Sequence, residues 1–91
     1  MKILIVEDEA TDRLILRSAV VHLGHECLVA ASGAEGWEMF GSRHPDVVIS
    51  DWQMPGVDGV ELCERIRAVE WPAYTPFIFV TGLTDRAHVL A

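Results

Sequence analysis

The chain has 91 residues, of which 51% are hydrophobic, a composition that suits one compact domain with a single core. Its formal net charge is −7, so it lacks the basic surface through which proteins bind nucleic acid. The apolar run near the N-terminus is far too short to span a membrane, and no cleavage site of small residues follows it. Cys27 and Cys63 stand alone in apolar segments, which is typical of reduced, buried thiols and favours a cytoplasmic location.

The first half of the chain alternates between apolar runs and helical periodicity. In order, it predicts a strand over 2–6, a helix over 10–23, a strand over 26–30 and a helix over 32–43. Gly24 is expected to end the first helix, and Ser32 to cap the second. The inner face of the first helix is predicted to carry Leu14, Leu16, Ala19, Val20 and Leu23. The second helix is expected to direct Trp37 and Phe40 inward.

The second half repeats this alternation. In order, it predicts a strand over 46–50, a helix that Asp58 caps, a connector over 71–76, a strand over 77–80 and a last helix beginning at Thr84 or Asp85. The inner face of the Asp58 helix is predicted to carry Leu62, Ile66 and Val69. Two prolines exclude a helix from the connector.

Strands that are apolar throughout and alternate with helices predict right-handed βαβ units and a parallel sheet covered on both faces. In such sheets, polar residues at the carboxyl ends of the strands line the ligand crevice. Those positions hold Glu7 and Asp8 after the first strand, Asp51 after the third and Thr81 after the fourth. The second strand ends in alanines. The polar residues are therefore expected to gather at one edge, over the centre of the sheet.

Glu7, Asp8 and Asp51 would place three carboxylates close together, and ionised neighbours at that range repel one another. A hard divalent cation relieves this repulsion, and carboxylates with open positions suit Mg²⁺. A carboxylate beside Mg²⁺ can attack a phosphoryl group and form an acyl phosphate. The Thr81 hydroxyl could hold such a group, or Thr81 could equally be a turn or capping residue of the helix that follows.

Three blocks of the sequence resemble the receiver domains of two-component response regulators. The segment Asp51-Trp52-Gln53-Met54-Pro55-Gly56-Val57-Asp58-Gly59 is similar to the signature in which Asp, Met-Pro and Asp-Gly recur at this spacing. The segment Ile5-Val6-Glu7-Asp8-Glu9 looks like the acidic end of the family's first strand. Val80-Thr81-Gly82 looks like its switch position, and the resemblance covers essentially the whole chain.

The resemblance implies an α/β, flavodoxin-like doubly wound parallel sheet with strand order 2-1-3-4-5, and a receiver domain over residues 1–91. It implies that Asp51 is the phosphoacceptor. Asp8 would bind Mg²⁺ together with Asp51 and the backbone carbonyl of Gln53, with Glu7 assisting directly or through water. Thr81 would be the hydroxyl that moves toward the phosphoryl group.

The implied phosphoryl donor is a phosphohistidine of a sensor histidine kinase or of a histidine phosphotransfer protein. The domain would be a signalling switch and not an enzyme that turns over an external substrate. No contact with nucleic acid or membrane is expected through this domain. Pro55 and Gly59 would shape the loop after Asp51. Nothing in the sequence indicates the output domain.

One departure from the family pattern concerns its lysine at the end of a fifth strand. The one lysine of this chain, Lys2, precedes the first strand's apolar run and is expected at the opposite edge from the acids. The fifth strand and helix five are absent up to Ala91, so the sequence predicts a receiver that is incomplete at its C-terminus. Such a domain would expose the edge of its fourth strand, so the sequence predicts that it is unstable alone, or that it covers the edge by forming a homodimer or a swapped dimer.

Three alternatives belong to other classes. An aspartyl-nucleophile phosphatase would carry Asp-x-Asp after the first strand, where this chain has Asp8-Glu9-Ala10. A flavodoxin-like cofactor binder would need a glycine- and hydroxyl-rich phosphate loop there. A degenerate receiver that binds partners without phosphorylation is supported only by the missing lysine.

Overall fold

The computed structural model describes residues 1–69 and 74–80. Its elements are β1 Lys2–Val6, α1 Ala10–His22, β2 Glu26–Ala30, α2 Gly33–Arg43, β3 Val47–Asp51, α3 Gly59–Ala68 and β4 Phe77–Val80. The strands form one parallel sheet in the order β2-β1-β3-β4. This confirms the predicted fold class and strand order. Among the described residues, no helix is both long and apolar enough to cross a bilayer.

The ends of the helices are fixed by the residues that the sequence indicated. Ser32 Oγ accepts a hydrogen bond from the Glu35 amide at 3.1 Å, and Asp58 Oδ1 accepts one from the Glu61 amide at 2.9 Å. Gly24 follows α1 with a φ of +89°, a conformation that favours glycine. Both predicted caps and the predicted stop are therefore confirmed.

The sheet separates two hydrophobic clusters, because successive side chains of a strand point to opposite faces. On one face, Leu4, Val6 and Val48 pack with Phe40 of α2 and Leu62 of α3. On the other face, residues of β1 pack beneath α1 in a smaller cluster of Ile3, Ile5 and Val20. Helices therefore lie on both faces, as predicted.

The predicted inner face of α1 is wrong in part. Val20 is buried and Leu16 is partly buried, but Leu14 and Leu23 are 61% and 72% exposed, and Ala19 is exposed as well. The helix packs along the row Asp12, Leu16 and Val20, whose four-residue spacing forms one ridge of a helix. Leu14 lies off this ridge, and Leu23 lies beyond the last helical residue.

Two boundaries near the ends of elements also differ from expectation. Val69 is not on the inner face of α3, since it is the C-cap residue, has extended backbone and is exposed. The third strand is shifted by one residue, so that Asp51 is its last member and pairs with Val80. Asp51 therefore projects from the sheet itself and not from the loop behind it.

Lys2 lies at the edge of the sheet that the sequence indicated. Its Nζ donates to the Arg43 carbonyl at 2.8 Å, and its amide donates to Asp46 Oδ2 at 2.7 Å. Both partners precede β3, whereas the acidic residues follow β1 and end β3. Lys2 is therefore bound at the amino end of the sheet, away from the acids.

Candidate metal and phosphoryl site

The three predicted acids meet at the carboxyl edge of the sheet. β1 and β3 are neighbours, with Val6 opposite Ser50, so Glu7 and Asp51 extend side by side from adjacent strands. Glu7, Asp8 and Asp51 each offer one carboxylate oxygen, and these oxygens lie within 4.8 Å of one another. The pairing of the two central strands thus produces the cluster predicted from the sequence.

The three carboxylates differ in their access to solvent. Glu7 is 1% exposed, Asp51 is half-buried and Asp8 is exposed. Burial, together with hydrogen bonding and the negative charge of Asp51, raises the pKa of Glu7 from 4.5 to about 8. Its buried Oε2 atom has no hydrogen-bond partner among the described residues. The pocket therefore has an uncompensated acceptor that a proton or a cation can satisfy.

Contacts from β2 and α1 hold the backbone that carries Glu7. The Glu7 amide donates to the Ala30 carbonyl of β2 at 3.0 Å, and Arg13 of α1 donates from Nη1 to the Glu7 carbonyl at 2.8 Å. Glu9 caps α1 by accepting from the Thr11 amide at 3.1 Å. Sequence reasoning missed Arg13; its only signal was a basic residue in the first turn of the helix that follows the acids.

Backbone hydrogen bonds fix both ends of the loop that follows Asp51. The Gly59 amide donates to the Trp52 carbonyl at 3.2 Å, and the Trp52 amide donates to the Val80 carbonyl at 2.9 Å. Met54 is buried in the larger core cluster, while Gln53 is exposed. The loop is therefore tied to β4 at its start and to α3 at its end. The metal-binding role of the Gln53 carbonyl stays a prediction.

Gly59 is required by the close approach of α3 to the end of β3. A Cβ at position 59 would overlap the carbonyl oxygen of Asp51 and lie 3.1 Å from Ser50 Oγ. We therefore expect Gly59→Ala to lower the free energy of unfolding by about 1–3 kcal/mol, as overpacking does. Urea denaturation measures this change. Gly41→Ala in α2 is the control, because nothing lies within 4 Å of a Cβ there; an equal loss in both variants would contradict the steric explanation.

Thr81 and the helix predicted from Thr84 or Asp85 lie outside the described residues, as does the part of the connector over 71–73. The preceding strand is described, and its Phe79 ring contacts Trp52 edge-on with ring centroids 5.7 Å apart. Trp52 directly follows Asp51 in the chain. The role of Thr81 stays a prediction.

The donor set fits Mg²⁺. All three side chains offer hard carboxylate oxygens, which magnesium prefers, and the exposure of Asp8 leaves room for the water ligands that this ion retains. The unpartnered Glu7 Oε2 and the raised pKa of its carboxyl are further signs of a site that favours added positive charge. Among residues 1–69 and 74–80, no imidazole or thiolate belongs to this cluster, so the chemistry of these three side chains is that of an oxygen-ligand site.

Comparison with known proteins gives a consistent result. Residues 3–91 match the family model of the response regulator receiver domain. The chain is 37% identical over 93 residues to a chemotaxis protein CheY homolog of Campylobacter jejuni, in an alignment that covers 99% of this chain and 71% of that protein. It is 37% identical over 80 residues to the phosphate regulon transcriptional regulatory protein PhoB of Pseudomonas aeruginosa, covering 88% of this chain and 35% of that one.

Solved structures show the same architecture. A response regulator receiver domain protein from Clostridium thermocellum superposes with a TM-score of 0.81 at 31% identity, covering 92% of this chain and 67% of that chain. The receiver domain of the hybrid histidine kinase CckA superposes with a TM-score of 0.76, also at 31% identity, covering 91% of this chain and 86% of that chain. The flavodoxin-like arrangement predicted from the sequence is thus found in both.

Proposed function

We propose that Asp51 is the phosphoacceptor of this chain, which belongs to the response regulator receiver domain family. The family resemblance predicted from three short sequence blocks is confirmed. Receiver domains are signalling domains that accept a phosphoryl group from sensor kinases or phosphotransfer proteins in two-component systems. That residues 1–91 form one such unit is part of this proposal, supported by the match over residues 3–91.

The observation that carries the proposal is the convergence of three carboxylates with unequal access to solvent. Glu7 is almost fully buried, so a phosphoryl donor cannot reach it. Asp8 is exposed and lies just before α1, a position that suits a metal ligand. Asp51 is half-buried at the end of a central strand, with its carboxylate beside both other acids. Of the three side chains, Asp51 best combines access with a fixed position.

Asp8 and Asp51 would hold Mg²⁺ together with the Gln53 carbonyl, and Glu7 would assist directly or through water. The ion, when bound, supplies positive charge that stabilises the oxygens of the transferring phosphoryl group. An Asp51 carboxylate oxygen attacks the phosphorus atom of a phosphohistidine. The new P–O bond forms as the P–N bond breaks, and the bonding electrons leave with the donor's imidazole.

The consequences of phosphorylation are also proposed. The Thr81 hydroxyl would move toward the phosphoryl group and bias a two-state surface that an output domain or partner reads. A sensor histidine kinase or a histidine phosphotransfer protein would be the donor, and the cytoplasm the compartment. A homodimer or swapped dimer stays a prediction. Ile78 on β4 is 47% exposed, which is compatible with a partner along this strand.

Incubation with a small acyl phosphate tests the proposal. With Mg²⁺ present, the intact mass is expected to rise by one phosphoryl group, and a chelator should prevent the rise. Hydroxylamine should remove the group, since it cleaves acyl phosphates, and peptide mapping should locate it on the peptide that contains Asp51. Metal-independent uptake, or a phosphoryl group mapped to a serine or histidine, would contradict the proposal.

A further inference from the structure

The loop between β3 and α3 rests against the first turn of α2. Gly33, the first residue of this helix, is buried, and a Cβ there would overlap the carbonyl oxygen of Val57. The same Cβ would lie 2.8 Å from the Val57 carbonyl carbon and 2.9 Å from its Cβ. Helix and loop therefore meet backbone to backbone, at a distance that only glycine permits.

At this contact, the first turn of α2 is held in place and does not move away from the loop. Ser32 and Glu35 lock the first turn, because Ser32 Oγ accepts from the Glu35 amide and Glu35 Oε1 accepts from the Ala31 amide at 2.7 Å. One turn further, a Cβ at Gly36 would lie 2.7 Å from Val6 Cγ2, so α2 sits directly on β1. Added volume at position 33 must therefore be accommodated by the loop.

The loop side is also held, since Val57 packs against the larger core cluster. At its far end, Gly59 brings the start of α3 against the Asp51 carbonyl. The loop is thus fixed at Gly33 in its middle and at Gly59 at its end. Gln53, whose carbonyl is a proposed metal ligand, lies on the segment between Asp51 and Val57.

We infer that Gly33 is a positioning residue for the metal site, because it sets the distance between α2 and the loop that carries the Gln53 carbonyl. This inference rests on the proposed function, since it assumes a Mg²⁺ site formed by Asp8, Asp51 and that carbonyl. A side chain at position 33 would displace Val57 and the loop with it.

Calorimetric titration of the whole chain with Mg²⁺ tests the inference. Gly33→Ala is expected to weaken Mg²⁺ binding about tenfold, the effect typical of residues that support metal ligands. In the metal-free protein, the Gly59 amide, which donates to the Trp52 carbonyl, should exchange with solvent faster than in the unmodified chain. Gly41→Ala makes the same change in the same helix with nothing within 4 Å, and should leave both quantities unchanged.

A second control separates positioning from general loss of stability. Val20→Ala removes volume from the smaller core cluster on the opposite face of the sheet, a cluster to which neither Val57 nor Met54 belongs. If Val20→Ala, at equal loss of stability, weakens Mg²⁺ binding as much as Gly33→Ala, the inference is overturned. The inference is also overturned if Gly33→Ala binds Mg²⁺ as tightly as the unmodified chain does. If the unmodified chain itself does not bind Mg²⁺, the proposed function is contradicted instead.

Val57→Gly provides an independent variant in case Gly33→Ala does not fold. It removes the Val57 side chain from the core and so loosens the loop, while the Val57 carbonyl that lies against Gly33 remains; it is therefore expected to weaken Mg²⁺ binding as well. In the Val57→Gly background, Gly33→Ala should have a smaller effect than in the unmodified chain, because a flexible loop absorbs the added methyl group. Unchanged Mg²⁺ binding in Val57→Gly would overturn the inference.

Discussion

Asp51→Asn is expected to abolish phosphoryl uptake from a small acyl phosphate, so that the intact mass no longer rises. The amide has no anionic oxygen with which to attack phosphorus, and the other two acids do not replace it. Glu7 is buried away from the donor, and Asp8 lies on the β1–α1 turn. The same change removes one negative charge beside Glu7 and should lower the pKa of that carboxyl, because Asp51 is one cause of its elevation.

The control for this variant is Asp58→Asn, the same chemical change at the other end of the same loop. Asp58 caps α3 by accepting from the Glu61 amide, and asparagine is an equally good capping residue. Uptake by Asp58→Asn should therefore equal that of the unmodified chain. If Asp51→Asn still gained mass while circular dichroism showed it folded, Asp51 would not be the phosphoacceptor.

The acidic cluster could be predicted because it depends on strand ends alone. Apolar runs identify the strands, and parallel pairing aligns their carboxyl ends. The acidic residues that come directly after these runs are Glu7, Asp8 and Asp51. The burial of Glu7 could not be predicted, because it depends on how closely β2 and α1 approach the turn after β1. The Glu7 amide donates to the Ala30 carbonyl, and the Arg13 side chain donates to the Glu7 carbonyl. These hydrogen bonds join residues that no local sequence pattern connects.

The side of each helix that faces the sheet was harder to predict than the segment of the sequence that forms the helix. In α1, apolar residues occur on more than one side, and the sheet selects the ridge that contains Leu16 and Val20 while Leu14 faces solvent. The contact between Gly33 and Val57 is similar, since the sequence shows a glycine but not the backbone against which it lies. Such contacts depend on how two elements are docked, which periodicity within either element does not determine.

Glu7 should make the stability of the metal-free domain fall as the pH rises. Its pKa is about 8 in the folded chain and 4.5 ordinarily, so between these values the folded state holds a proton that the unfolded state releases. The resulting stabilisation is fully present below pH 4.5 and is lost as the pH rises through 8. Since one pKa unit corresponds to about 1.4 kcal/mol, the difference between these two pKa values corresponds to a loss on the order of 5 kcal/mol across this window.

Glu7→Gln should remove this pH dependence, because a neutral amide fills the same space without a titrating proton. At pH 8 the metal-free variant is expected to be more stable than the unmodified chain by on the order of 4 kcal/mol, measured by urea denaturation across the pH range. Mg²⁺ should stabilise the unmodified chain more at pH 8 than at pH 5, because at pH 8 about half of the Glu7 carboxyls have already lost the proton that the ion displaces. In Glu7→Gln this difference should shrink.

Glu64→Gln provides the matched control, since Glu64 is exposed on α3 and the change in charge is the same. Its pH profile should follow that of the unmodified chain. Because each variant loses one carboxyl and keeps all other titrating groups, the difference between the profiles of the two variants reports on the Glu7 carboxyl. An unchanged slope in Glu7→Gln would show that Glu7 does not hold the proton, and that the cluster relieves the repulsion among its carboxylates in another way.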